Sequence, residues 1–69
     1  MKKLITIDGM HCGKCASRVE GALKALGGKG KVDLKAKTAV FECARDVADE
    51  EIKEAVESLG FVFVSAENI

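Results

Sequence analysis

Cys12 and Cys15 stand two residues apart, with Gly13 and Lys14 between them, just after a short β-prone run. Two cysteines three apart at a helix start can turn both sulfurs toward one point. The unsatisfied backbone N–H groups of a helix start favour negative charge, and Lys14 adds a nearby cation. Both effects lower a thiol pKa and raise the fraction of thiolate, which is the form that binds metal. Gly13 is expected to let the loop bend without a Cβ penalty. Two thiolates with few other ligands suit a soft, low-coordinate ion such as Cu(I). A structural zinc site wants four ligands. Beyond the pair, this chain offers only His11 and the distant Cys43.

The neighbours of the pair have two readings each. His11 is either a third ligand, which would favour zinc or another borderline ion, or a solvated loop residue. Met10 is either a soft thioether donor or a packing residue. Cys43 falls on the inward face of a predicted strand and reads as a small buried hydrophobe. Phe61 and Phe63 read as core, with Phe61 also able to shield a metal from water.

The elements that must position these residues follow from apolar spacing. Residues 3–8 are rich in β-branched types and predict a strand with Ile5 and Ile7 on one face. Residues 14–26 predict a helix, with Cys15, Val19, Ala22, Leu23 and Leu26 along one side and Lys14, Arg18 and Lys24 mostly on the other. Gly27-Gly28 stops it. Gly21 inside it costs roughly 1 kcal/mol against alanine and is expected to allow close packing. Residues 31–35 and 38–43 predict a hairpin turning at Ala36-Lys37, with Val32 and Leu34 aligned in the first strand and Ala39, Phe41 and Cys43 in the second. Residues 49–59 predict a helix with an apolar stripe of Ile52, Ala55, Val56 and Leu59. Asp49, Glu50 and Glu51 crowd its start, where acidic groups suit the helix dipole. Gly60 ends it, and residues 61–64 predict a last strand.

The order strand, helix, strand, strand, helix, strand is that of the α+β, ferredoxin-like βαββαβ sandwich. It predicts a four-stranded antiparallel sheet with two helices on one face. The expected core is Ile5, Ile7, Val19, Leu23, Leu26, Val32, Leu34, Phe41, Ile52, Val56, Leu59 and Phe63.

At 69 residues the chain is expected to be one domain, 1–69. A chain this short buries only about 60% of its unfolded surface, which leaves no room for a deep catalytic cleft and favours a binding module over an enzyme. Eleven basic and eleven acidic residues balance, so no global attraction to nucleic acid or membrane follows. The balance is uneven along the chain: residues 1–45 carry a net +6 and residues 46–69 a net −6. The basic Lys14, Arg18 and Lys24 could form a docking face or simply a solvated one. The apolar run Leu4–Ile7 is too short for a secretory leader or a membrane span. A cytoplasmic protein is expected, where thiols stay reduced.

The stretch from Gly9 to Cys15 (Gly-Met-His-Cys-Gly-Lys-Cys), followed by Val19-Glu20-Gly21-Ala22-Leu23, resembles the heavy-metal-associated domain family. That family includes the copper chaperones and the N-terminal domains of metal-transporting P-type ATPases. Val32-Asp33-Leu34, residues 50–56 and Leu59-Gly60-Phe61 extend the resemblance over almost the whole chain. It implies that Cys12 and Cys15 are the metal ligands, that Met10 packs beneath the loop, and that Phe61 is the aromatic residue beside it. His11, Gly13 and Lys14 are the accessory neighbours. Two departures from the family stand out. His11 occupies a position usually held by Thr, Ser or a small residue, and the link Gly28–Lys31 is shorter than usual and lacks an expected valine.

The resemblance further implies Cu(I) binding and transfer, by ligand exchange, to a partner metal-binding domain such as that of a P-type ATPase. The expected state is a monomer, with a metal-bridged dimer as the other state an exposed thiolate pair permits. The Met1-Lys2-Lys3 start and short C-terminus suggest a free-standing carrier rather than a piece of an ATPase. Two rival readings share this chemistry. Zn(II), Cd(II) or Hg(II) could replace Cu(I) on the same thiolates. A dithiol oxidoreductase also places Cys-x-x-Cys at a helix start, but this chain has no tryptophan and no proline.

Overall fold

The computed structural model describes residues 1–69. Its elements are β1 (Lys2–Asp8), α1 (Gly13–Ala25), β2 (Lys29–Asp33), β3 (Thr38–Glu42), α2 (Asp49–Glu57) and β4 (Val62–Asn68). The strands form one antiparallel sheet in the order β2-β3-β1-β4. This is the expected ferredoxin-like arrangement. Both helices lie on one face, α1 beside β2 and α2 beside β4.

Alternation decides which face they cover. Ile5 and Ile7 of β1 and Ala39 and Phe41 of β3 are fully buried, while Leu4, Thr6, Thr38 and Val40 between them keep partial exposure. From the helices, Val19, Leu23, Ile52 and Val56 complete the core with no exposure at all. No buried polar side-chain atom lacks a partner, so the interior is bound by apolar burial without polar cost.

Three expectations about packing change. Leu34 is 37% exposed rather than core. β2 ends at Asp33, whose carboxylate accepts hydrogen bonds from the backbone N–H groups of Lys35 and Ala36 at 3.0 and 3.2 Å. That aspartate turn lifts Leu34 out of the strand alternation, and Lys37 closes the turn with φ +58. Val47, in the connection before α2, is a core residue that the periodicity does not predict. Leu26, Val32, Leu59 and Phe63 pack against the core from partly buried positions.

The close approach expected at Gly21 occurs elsewhere. A Cβ on Gly21 would meet nothing within 4 Å, whereas one on Gly30 would lie 2.7 Å from Leu23 Cδ1 and one on Gly28 would lie 2.4 Å from the Glu42 carbonyl oxygen. β2 therefore lies against α1 too closely for a side chain at Gly30. This is how the short link from α1, without the expected valine, reaches the sheet. Glu20 of α1 then caps the strand edge by accepting from Val32 N–H at 3.0 Å.

β4 runs to Asn68, beyond the expected end at 64. The register against β1 shifts between Thr6 and Ile7, so that Ile7 opposes Phe63 and Thr6 opposes Ser65. The bulge admits Val64 as an extra residue, breaking the alternation by which the strand would have been traced further.

Candidate metal centre

The chain leaves β1 at Asp8 and enters α1 at Gly13. Gly9 makes the turn between them with φ +98, a conformation that costs a residue with a Cβ. The atom such a Cβ would meet first is Phe61 Cδ1, at 3.5 Å. Phe61 is 9% exposed and Met10 is 7% exposed. Both belong to the apolar core cluster from which the loop emerges. The bend is set at Gly9, not at Gly13 as expected. Gly13 is already the first residue of α1, and a Cβ there would meet nothing within 4 Å.

The loop holds His11 and Cys12 in solvent, with Gly13 and Lys14 exposed behind them. Cys12 is the residue before the helix, in an extended conformation (φ −153, ψ 173), and its carbonyl accepts from Ala16 N–H at 3.2 Å to open the first turn. Cys15 lies one turn in, half-buried, with its side chain against the core. The two Sγ atoms are 3.8 Å apart and share a hydrogen bond. None of the cysteines is in a disulfide.

A metal–thiolate bond is about 2.3 Å for zinc. The sulfurs are closer than two such bonds laid end to end, so one ion can touch both. No group of three or more His, Cys, Asp or Glu side chains is assembled anywhere that could hold a metal ion. The candidate site thus brings two sulfurs together. His11 is exposed beside it without joining such a group. Cys43, 5% exposed, lies at the far end of the sheet, where β3 ends beside the start of β1.

The Cys12 thiol is held below its ordinary pKa. The largest cause is the backbone N–H of Cys15, followed by that of Lys14 and then the Cys15 thiol, with a small opposing effect of desolvation. These N–H groups close no formal capping bond to the sulfur. They act as the dipoles of an open helix start that face it. With Cys12 ionised, the Cys15 thiol donates to it.

No helix is long and apolar enough to cross a membrane. A profile of the heavy-metal-associated domain matches residues 4–61. The copper chaperone CopZ of Staphylococcus haemolyticus is 38% identical over 64 residues, covering 88% of this chain and 94% of that protein. Among solved structures, a CopZ metallochaperone superposes with a TM-score of 0.84 at 30% identity, over 93% of this chain and all of that one. The N-terminal domain of a potential copper-translocating P-type ATPase from Bacillus subtilis, solved in its Cu(I)-loaded state, superposes with a TM-score of 0.81 at 27% identity. That superposition covers 99% of this chain and 91% of the other.

Proposed function

The chain belongs to the heavy-metal-associated domain family, and from that premise we propose that it is a cytoplasmic carrier of one Cu(I) ion. In this reading Cys12 and Cys15 are the ligands, and the ion is passed to a similar metal-binding domain of a transporter. The observation that carries the proposal is the 3.8 Å sulfur pair on an exposed loop, with Met10 and Phe61 buried beside it. The CopZ relatives and the Cu(I)-loaded ATPase domain support copper as cargo. Donor count favours Cu(I) over zinc, because a zinc site would call for more ligands than the two sulfurs brought together here.

Binding begins at Cys12, whose thiolate is already favoured by the helix start. Cys15 loses its proton to solvent as the ion arrives, since metal binding to thiols releases protons. Met10 and Phe61 keep water from the underside of the site. Transfer is ligand exchange. A thiolate of the acceptor adds to the two-coordinate ion, giving a three-coordinate state. One donor sulfur then leaves and takes up a proton, and a second acceptor thiolate displaces the other donor sulfur in the same way. Cys12, free in solvent, is the sulfur that can swing away, while Cys15 is tethered by its packing against the core. No covalent substrate bond is made or broken, so the chain acts as a carrier and not as an enzyme.

The test is to mix the Cu(I)-loaded chain with a copper ATPase metal-binding domain in the presence of an impermeant Cu(I) chelator. Direct exchange predicts transfer at a rate that rises with acceptor concentration and bypasses the chelator. If the chelator intercepts all the copper, the carrier mechanism is wrong.

A further inference from the structure

The two helices present opposite charge to solvent from the same layer. On α1 the exposed Lys14, Arg18 and Lys24 surround Ser17, Gly21 and Ala25, with no acidic side chain on that face. On α2 the exposed Glu50, Glu54 and Glu57 follow one another at i, i+4 and i+7 and form a net-acidic ridge in which the exposed Lys53 is the one basic side chain. None of these six is in an ion pair: the pairs within the chain are Lys3–Asp49 and Arg45–Glu51. Lys14 and Arg18, like Glu50 and Glu54, stand four residues apart, where like charges repel, so each ridge gains from an opposite surface. The segregation extends beyond the helices. Residues 13–37, which build α1, β2 and the following turn, carry seven basic and two acidic side chains. Residues 46–69, which build α2 and β4, carry one basic and seven acidic.

We infer that the helix layer is a docking surface for a second copy of this chain, in a weak, salt-sensitive, metal-independent dimer. Topology fixes its geometry. β1 and β2 run one way and β3 and β4 the other, so α1 and α2, which return between them, are antiparallel. Two layers face to face can be related by a twofold axis along the helices or by one across them. The axis across them stacks each helix on its own copy, basic on basic and acidic on acidic. The axis along them stacks α1 on α2 of the second copy, and α2 on its α1. Charge therefore selects the axis along the helices. That axis also keeps the two Cys12–Cys15 loops at the same end of the pair. The resulting side-by-side placement would suit passage of an ion between copies. Only this consequence rests on the metal reading, since the docking itself is a property of the metal-free chain.

Sedimentation velocity on the metal-free, reduced chain tests the dimer. Association is expected at about 0.01 M salt, where charges act over about 30 Å, and should weaken at least tenfold by about 0.15 M, where they act over about 8 Å. Arg18→Glu/Lys24→Glu, which makes both ridges acidic, and Glu50→Lys/Glu54→Lys, which makes both basic, should each stay monomeric. Both should retain the helical circular dichroism of a folded chain, because every changed side chain is exposed. An equimolar mixture of the two variants should associate again. Amide shifts on dilution of the wild type should map to α1 and α2 and spare the open sheet face. A wild type that stays monomeric at low salt overturns the inference. So does association that survives either charge reversal, or a mixture that fails to associate.

Discussion

The sulfur-bearing ends of the sheet differ in everything except the cysteine. At one end Cys12 stands in solvent and Cys15 is half-buried, 3.8 Å away, on a loop whose backbone N–H groups favour the thiolate. At the other, Cys43 is buried and the chain around it is tied down. The Met1 amino group donates to the Cys43 carbonyl at 2.7 Å, Cys43 N–H donates to the Met1 carbonyl at 2.9 Å, and Val47 N–H donates to Met1 Sδ at 3.3 Å. Beside it Arg45 reaches the Leu26 carbonyl at the end of α1 and Glu51 of α2. A thiol becomes a metal-binding group only where a partner sulfur, an open helix start and solvent coincide. Without them it is a small apolar filler.

The largest expected effect breaks this contrast directly. Cys12→Ser and Cys15→Ser should each lose far more Cu(I) affinity than the roughly 10–100-fold that removal of a supporting residue costs. Cys43→Ser should leave affinity unchanged. Titration against a Cu(I) chelator reads all three. The reverse pattern should appear in stability. Cys43→Ser puts a hydroxyl in an apolar site at a cost of about 1–3 kcal/mol. Thermal melting would register that cost as a fall of about 4–8 °C per kcal/mol in a chain of this size. If Cys43→Ser weakened copper binding instead, the two ends would be coupled.

Much of this contrast could be seen in the sequence, because it depends on local pattern. The Cys-x-x-Cys spacing, the β-branched run before it and the helical periodicity after it place the sulfur pair without knowledge of the rest. Alternation of Ala39, Phe41 and Cys43 likewise places all three inside. What the sequence hid depends on contacts between distant segments. Val47 sits in a loop with no periodic neighbours, yet Met1, 46 positions away, receives its N–H. Leu34 looked like the continuation of Val32 until Asp33 turned the chain with its own side chain. Gly30 leaves no room for a side chain because Leu23 already fills the space, a contact that the local pattern of the short link does not reveal. Gly13 reads as the flexible point because it lies between the cysteines, whereas the turn that requires glycine is at Gly9, against Phe61.

A smaller effect sharpens the difference between the sulfurs themselves. Iodoacetamide at neutral pH should modify Cys12 first, Cys15 more slowly, and Cys43 only as fast as the chain opens, since thiolate fraction and access both set the rate. Peptide mass spectrometry over time gives the order. The pH profile for Cys12 should have its midpoint below that of an ordinary thiol, because its folded pKa is lowered. A depressed pKa contributes stability that is present above the unfolded value and lost as pH falls through the folded one. Copper affinity should fall in the same direction, as protons compete for the sulfurs. A Cys12 midpoint equal to that of Cys43 in unfolded protein would remove the helix start from the account.

The smallest expected effect tests whether the far end is purely structural. The Arg45 guanidinium donates to the Leu26 carbonyl at 3.0 Å and to Glu51 at 3.3 Å, with its side chain 54% exposed. The ion pair with Glu51, equally open to water, contributes little. The bond to the Leu26 carbonyl satisfies an acceptor that the end of α1 leaves free. Arg45→Met keeps an aliphatic stem over the same surface but removes both bonds. It should cost about 0.5–1 kcal/mol, read as a lower urea midpoint at unchanged slope. Cu(I) affinity should not move, because nothing polar links Arg45 to the Cys12 loop. A loss of affinity from this substitution would mean that α1 transmits strain from its last turn to its first. The sulfur pair would then owe its geometry to both ends of the helix.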